Sequence, residues 1–197
     1  MLRRGFDASV AALGLVVLAP LLAALALAVR LDSGGPVLFR QVRIGRGGTP
    51  FRIVKFRTMR TDAEAVGGPL TVGSDPRVTR VGRWLRASKL DELPQLWNVV
   101  VGDMALVGPR PEVPKFVAMY DARQRRVLSV RPGITDPASI RYRHENRVLA
   151  EADDPAEAYL RTVMPEKLEI NLAYLERRTL ASDLGVIFAT LARLLGR

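Results

Sequence analysis

The chain has 197 residues and no cysteine, with 30 Lys plus Arg against 20 Asp plus Glu, a formal net charge of +10. That length suits one compact domain with an added membrane element rather than two full soluble domains. The missing thiols exclude disulfides and thiolate metal sites, and the single histidine, His144, excludes a multi-histidine zinc site, so any metal should be hard and oxygen-bound. The positive balance implies polyanionic company: nucleic acid, anionic lipid or nucleotide phosphate. Arginine dominates the cations, through either a GC-rich genome or the match of its planar fork to phosphate oxygens.

From Ala8 to Val29 the chain carries no charge and is almost entirely Ala, Val and Leu. As one straight helix this run would reach roughly 33 Å, enough to cross a bilayer core. A secretory signal fits poorly, because Leu31-Asp-Ser-Gly-Gly-Pro36 lacks a small-residue cleavage pattern. Pro20 interrupts the run and removes a helix hydrogen bond. Basic residues flank both ends, Arg3 and Arg4 before it and Arg30, Arg40, Arg43 and Arg46 after it. Positive flanks prefer the cytoplasmic side, which favours a re-entrant helix–break–helix, with a kinked true span as the alternative.

Val37 to Ile44 and Phe51 to Arg57 read as two strands, joined into a hairpin by the turn residues Gly45-Arg-Gly-Gly-Thr-Pro50. Asp62 to Gly73, with Gly67-Gly-Pro69 inside it, reads as a mobile loop. A helix over Val78 to Ser88 sets Arg77, Arg80, Arg83, Arg86 and Lys89 beside Val81, Trp84 and Leu85, a composition that suits either a lipid headgroup surface or a solvated basic face. The next helix is expected from Asp91 to Val101, with Pro94 in its first turn and Gly102 as its stop. Further helices are expected over Val113 to Tyr120 and Ala122 to Val130, a strand over Ala138 to Tyr142, and a helix over Ala156 to Arg178 with a boundary or kink at Pro165. The last helix, from Asp183, aligns Leu184, Ile187, Phe188, Leu191, Leu194 and Leu195 on one stripe, facing a core or a membrane.

The adjacent carboxylates Asp91 and Glu92 carry the chemistry. Neighbours one apart on a helix do not face each other, so the pair suits two jobs rather than one shared proton. An aspartate is already ionised at neutral pH and can attack phosphorus without an activating base, provided the phosphate charge is neutralised. Magnesium and arginines would supply that, Glu92 holding the metal while Asp91 attacks, with Arg86 and Lys89 just upstream. The same residues also fit a purely structural role, since Ser88-x-x-Asp91 matches a capping box. Gly108-Pro-Arg-Pro-Glu112 is likewise either a stiff turn feeding a helix or a clamp that holds Arg110 toward an anionic ligand.

Taken together, Lys55-Phe-Arg-Thr-Met59, Ser74-Asp-Pro-Arg77, Val81-Gly-Arg-Trp-Leu-Arg86, Leu90-Asp-Glu-Leu-Pro-Gln-Leu-Trp-Asn98 and Gly102-Asp-Met-Ala-Leu-Val-Gly-Pro-Arg-Pro111 closely resemble the bacterial sugar transferase family, over residues 1 to about 135. These are small monotopic phosphoglycosyl transferases that start glycan assembly on a polyprenol phosphate. The resemblance implies an α/β fold, mostly helical with a small β-hairpin or sheet, in which a re-entrant membrane helix (1–33, breaking near Ala19 and Pro20) packs on a cytosolic catalytic domain (34–197) with surface amphipathic helices. It implies a Mg2+-dependent enzyme on the cytoplasmic face of the bacterial inner membrane. A UDP-sugar and undecaprenyl phosphate would be its substrates, membrane phospholipid its surroundings, and UMP its released product. Carried over by position, Asp91 is the nucleophile that becomes bonded to the phosphosugar, and Glu92 is the magnesium ligand. Arg86 engages substrate phosphate, Pro109, Arg110 and Pro111 line the uridine site, and Lys55 and Arg57 belong to a basic motif near the centre.

The chain departs from the family pattern in two places. Ala19 stands where many relatives have a serine before the breaking proline. After Pro132-Gly-Ile-Thr135 many relatives continue Gln-Val-x-Gly-Arg-Asn, whereas this chain reads Asp136-Pro-Ala-Ser-Ile-Arg-Tyr-Arg-His-Glu-Asn146. That points to another subgroup, with His144 and Glu145 either structural or in contact with substrate. A membrane-anchored basic adaptor is the reading from another class, but aromatics rarely interleave the basic residues and no nucleic-acid motif occurs, so no nucleic acid partner is expected.

Overall fold

The computed structural model describes residues 2–66, 71–73 and 75–195. Gly67-Gly-Pro69 of the expected loop and Ser74 of one motif lie outside the described residues, as do the side chains of Leu194 and Leu195 in the expected stripe.

Two helices open the chain, α1 (Leu2–Val17) and α2 (Ala19–Asp32), bent by 64° at Leu18. The break falls two residues before Pro20 because proline is tolerated where a helix begins: in the first turn of α2 its missing N–H is an orphan donor anyway. The hydrogen bonds Leu18 N–H to Gly14 O and Leu22 N–H to Leu18 O, 2.9 and 2.8 Å, carry the backbone through the elbow without a serine hydroxyl. Among the described residues no single helix is long and apolar enough to cross a membrane, whereas the bent pair together has that length and composition. Leu13, Val16, Val17, Leu27 and Leu31 are all at least 60% exposed on it.

The hairpin is as expected: β1 (Leu38–Ile44) pairs antiparallel with β2 (Pro50–Phe56) in the register Leu38↔Phe56 to Ile44↔Pro50. Its tight turn needs Gly47 at φ +68° and Gly48 at φ +81°. Residues 63–66 of the expected loop form a helical turn. Helix α3 (Arg80–Ser88) starts at the Thr79 cap, whose hydroxyl accepts from Gly82 N–H, while Asp32 at the end of α2 accepts from Val81 N–H at 3.0 Å. Gly82 is required there: a Cβ would sit 2.1 Å from Thr58 O.

The expected Asp91–Val101 helix is shorter. Lys89 turns left-handed (φ 59°), a 3-10 turn covers Leu90–Glu92, and α4 runs Gln95–Val101 to a left-handed Gly102. The capping box is not formed, because Ser88 closes α3 and donates to Trp84 O and Leu85 O. Beyond α4, β3 (Ala105–Val107) pairs in parallel with β4 (Gly133–Thr135). The expected strand over Ala138–Tyr142 is instead the helical turn Pro137–Arg141, because Asp136 caps it by accepting from Ser139 N–H and Pro137 fits its first turn. The expected helices over 113–120 and 122–130 reduce to the turn Pro114–Val117 and the 3-10 segment Gln124–Ser129. The 156–178 helix is interrupted by a π segment, Tyr159–Val163, just before Pro165; α5 then spans Met164–Glu176 and α6 Leu180–Leu195.

Three apolar clusters tie these elements together. Leu25 and Val29 of α2 meet Phe56 and Leu85. Ala11 of α1 meets Ile53, Val99, Met104 and Val186. Phe116, Tyr120, Tyr159, Val163 and Leu168 form the third. Both halves of the bent pair thus pack on the rest of the chain, and Arg4 donates to Val99 O and Val100 O at the C-terminal end of α4. On α6 the buried face is Asp183 and Val186, while Phe188 and Leu191 of the expected stripe are 66% and 48% exposed.

Candidate active site

One end of the body gathers charged side chains from four separate stretches. The hairpin brings Lys55 and Arg43, which point to the same face because both occupy odd-numbered positions in register, Phe39↔Lys55 and Arg43↔Phe51. Lys55 Nζ lies over the Phe39 ring at 5.3 Å. The end of α3 contributes Arg86, the following 3-10 turn Asp91 and Glu92, and the turn after β3 Arg110.

Asp91 is 5% exposed and its Oδ1 has no hydrogen-bond partner. Burial raises its pKa above the ordinary aspartate value, as does the neighbouring Glu92 carboxylate, while Lys55, Lys89 and Arg86 pull it down. Glu92 behaves oppositely. Burial works to raise it, but Arg110 outweighs burial and holds the carboxyl at about 2. Arg110 grips it with both terminal nitrogens, Nη2 to Oε1 at 2.6 Å and Nη1 to Oε2 at 3.1 Å. Burial lowers the Lys55 ammonium to about 8 against the field of Asp91. Burial also lowers Arg86, against the fields of Asp91, Asp75 and Glu92. Two adjacent acids therefore stand in opposite conditions, one locked to a guanidinium and one buried with an open oxygen.

The Pro109-Arg110-Pro111 turn is held from behind. Gly108 N–H donates to Thr135 O and Gly133 N–H to Pro109 O, at 3.0 and 3.1 Å. Arg43 Nη1 donates to Pro111 O at 3.1 Å, and Tyr159 Oη donates to Glu112 Oε1 at 2.5 Å. Sequence reading missed Arg43, Glu112 and Tyr159 in this role. Glu112 was visible inside the turn motif, but Tyr159 reaches it from 47 residues away, a pairing that no local pattern signals. Gln95, in the first turn of α4, is 1% exposed with both amide atoms unpartnered, a further polar group open to a ligand.

Arg57 does not join this cluster. It follows β2 and donates to Ser33 O and Ser33 Oγ, tying the exit of α2 to the hairpin. Ala19 and Pro20 lie at the elbow. Glu145 accepts from Lys167 at 2.7 Å, a structural ion pair, and His144 is exposed.

The donor set suits magnesium. All its ligating atoms are hard oxygens, Asp91 Oδ1 is buried and unpartnered, and each Glu92 oxygen keeps a lone pair beyond its bond to Arg110. Among the described residues no group of three or more acidic or histidine side chains is placed to hold a metal ion, so phosphate and water oxygens would complete the coordination, as magnesium commonly allows.

Comparison with known proteins gives the family of the chain. The chain is 39% identical over 198 residues to the "Undecaprenyl-phosphate glucose phosphotransferase" of Komagataeibacter xylinus, covering 97% of this chain and 35% of that protein. It is 38% identical over 204 residues to the "UDP-glucose:undecaprenyl-phosphate glucose-1-phosphate transferase" of Caulobacter vibrioides, covering 98% and 69%. It is 38% identical over 208 residues to the "Exopolysaccharide production protein PSS" of Rhizobium leguminosarum, covering 100% and 96%. The chain thus spans about a third of some relatives and nearly all of others. The family model described as "Bacterial sugar transferase" matches residues 1–197, and the chain belongs to that family.

Proposed function

We propose that this protein transfers a sugar-1-phosphate from a UDP-sugar to a polyprenol phosphate, undecaprenyl phosphate by analogy with the relatives, releasing UMP and opening the assembly of a bacterial glycan. The observation that carries this reading is the buried, unpartnered Oδ1 of Asp91 beside the Glu92–Arg110 pair, inside a ring of cations. Lys55, Lys89 and Arg86 have the sign needed to draw in a diphosphate, and their field favours the ionised Asp91.

In the first step an Asp91 carboxylate oxygen bonds to the phosphorus that carries the sugar, and the bond from that phosphorus to the bridging oxygen breaks. UMP leaves with the electron pair. In the second step an oxygen of the polyprenol phosphate bonds to the same phosphorus, the acyl-phosphate bond breaks, and Asp91 returns as a free carboxylate. Magnesium held by Glu92, with Asp91 able to contribute, would supply charge neutralisation on the diphosphate. Arg86 would bind phosphate oxygens, and the rigid Pro109–Pro111 turn would form the wall against which the uridine rests. The exposed leucines and valines of α1 and α2 are what a bilayer would cover, which supports membrane contact by the bent pair; its re-entry at the cytoplasmic face of the inner membrane is part of the same proposal.

The test is to incubate the protein with magnesium and a labelled UDP-sugar in the absence of acceptor and to examine peptides by mass spectrometry. A phosphosugar adduct on Asp91 is expected, together with one UMP per adduct. UMP release without an adduct, or full turnover by Asp91→Asn, would sink the reading.

A further inference from the structure

The hairpin is a single layer with two unlike faces. Its odd-numbered side chains, among them Phe39, Arg43 and Lys55, face the carboxylates or their supporting turn. Its even-numbered side chains, Arg40, Arg52, Val54 and Phe56, line a cavity of about 790 Å3 on the other side. The bent helix pair lines it too, with Leu15 of α1 and Leu22 and Ala26 of α2, as do Pro94 and Trp97. The cavity is large enough for a substantial ligand and its lining is overwhelmingly apolar.

Its polar residues decide what that ligand is. Arg40 and Arg52 are diagonal neighbours on one hairpin face, since Arg40 pairs with Val54 and Arg52 with Val42. Both are exposed, and neither forms an ion pair among the described residues. Asn98 also lines the cavity, its amide bonded to Arg52 O, Val54 N–H and Asp103 Oδ2; Asp103 is the one acid in the lining, so two guanidiniums against one carboxylate leave the lining cationic. A hydrocarbon slot edged by two free guanidiniums fits an amphiphile with an anionic head.

We infer that the slot between the α1–α2 elbow and the even face of the hairpin binds an anionic membrane phospholipid, with its acyl chain against Leu22, Val54 and Trp97 and its headgroup on Arg40 and Arg52. The occupant is distinguished from the acceptor by strand register: Arg40 and Arg52 lie on the hairpin face opposite Lys55, whose charge acts on Asp91, so a phosphate that they hold is turned away from the nucleophile. The site extends the function proposed above only in resting on the same placement of the elbow in lipid. A resident lipid there fills the gap between the membrane element and the hairpin that positions Lys55.

The two tryptophans provide the test, because Trp97 lines the slot and Trp84 does not. A full-length Trp84→Phe protein, reconstituted in vesicles, reports quenching of Trp97 by phospholipids brominated on the acyl chain. At equal mole fraction, brominated phosphatidylglycerol is expected to occupy the quenching position over brominated phosphatidylcholine by at least about fivefold, the effect of one cation near an anionic surface. Arg40→Gln/Arg52→Gln should abolish that preference, while the charge-matched Arg123→Gln/Arg126→Gln on the far surface should keep it. Equal quenching by the two lipids, equal loss in both double variants, or relief of quenching by a small fraction of polyprenyl phosphate would each overturn the assignment. The readout involves no turnover, so failure to form the Asp91 adduct would leave it standing.

Discussion

Arg110 holds Glu92 through two parallel hydrogen bonds, at 2.6 and 3.1 Å, and so separates two carboxylates that are adjacent in the chain. Glu92 is kept ionised and oriented, while Asp91 keeps an unbonded oxygen. Removing the fork leaves a poorly solvated carboxylate, so Arg110→Met should lower stability by on the order of 2 kcal/mol, reduced from the fully buried case because Arg110 is itself partly solvated. Glu92 lies well below its ordinary 4.5, at about 2, so the stability it contributes is complete above 4.5 and lost as pH falls toward 2. The difference in Tm between wild type and Arg110→Met, followed by circular dichroism, should therefore shrink through that acid window. A difference independent of pH would show that the pair is not its source.

Lys55 should set the alkaline limit of activity. Its ammonium, lowered to about 8 by burial, loses its charge as pH rises through that value, and with it one of the cations proposed to face the donor phosphates. On the proposed mechanism Asp91 must be ionised to attack, and its raised pKa puts the acid limb above the ordinary 3.8. UMP release should give a bell-shaped profile of kcat/KM. In Lys55→Arg, whose guanidinium does not titrate in this range, the alkaline limb should move upward by at least about one pH unit.

Tyr159→Phe removes only the hydroxyl that fastens Glu112 behind the arginine turn. The loss is worth about 1 kcal/mol, so the donor KM should rise roughly fivefold with kcat little changed. A fall in kcat at constant KM would place Tyr159 in the chemical step instead.

Gly108 and Gly133 let β3 and β4 approach behind the same turn. A Cβ on Gly133 would meet Gly108 N at 2.1 Å, and backbone cannot yield as a flexible side chain does. Gly133→Ala should cost about 3 kcal/mol or more and displace Arg110. Denaturant unfolding checks the first, and donor KM in the surviving folded fraction checks the second.

The native chain has no cysteine, so single thiols can report topology without background. For a re-entrant element, Leu2→Cys in sealed inner-membrane vesicles should react with a membrane-impermeant maleimide only from the cytoplasmic side. Labelling from the periplasmic side would make the element a true span.

Features encoded by neighbouring residues were legible. The hairpin follows from β-branched strands around a glycine turn, and the elbow from Pro20, displaced only to Leu18 because proline sits best inside a helix start. Asp91, Glu92, Arg86, Lys55 and Arg110 meet as the motif blocks implied. Arg57 did not, since its partner Ser33 lies 24 residues away. The Ala138–Tyr142 strand failed because Asp136 and Pro137 form a helix start that outweighs the β-branched content of a five-residue window. The α6 stripe was left open between core and membrane, because periodicity locates an apolar face without stating what covers it; Phe188 and Leu191 prove exposed.

The order of residues alone determined the family, the elbow, the hairpin and the pair of acids, because each depends on bonds and clashes within a few positions. Tertiary structure decided which acid is neutralised and which is left open, which hairpin face meets the carboxylates, and which meets the elbow. Those outcomes depend on a guanidinium 18 residues from Glu92 and on a strand register that sends alternate side chains to opposite sides, and both exist only once distant segments have packed.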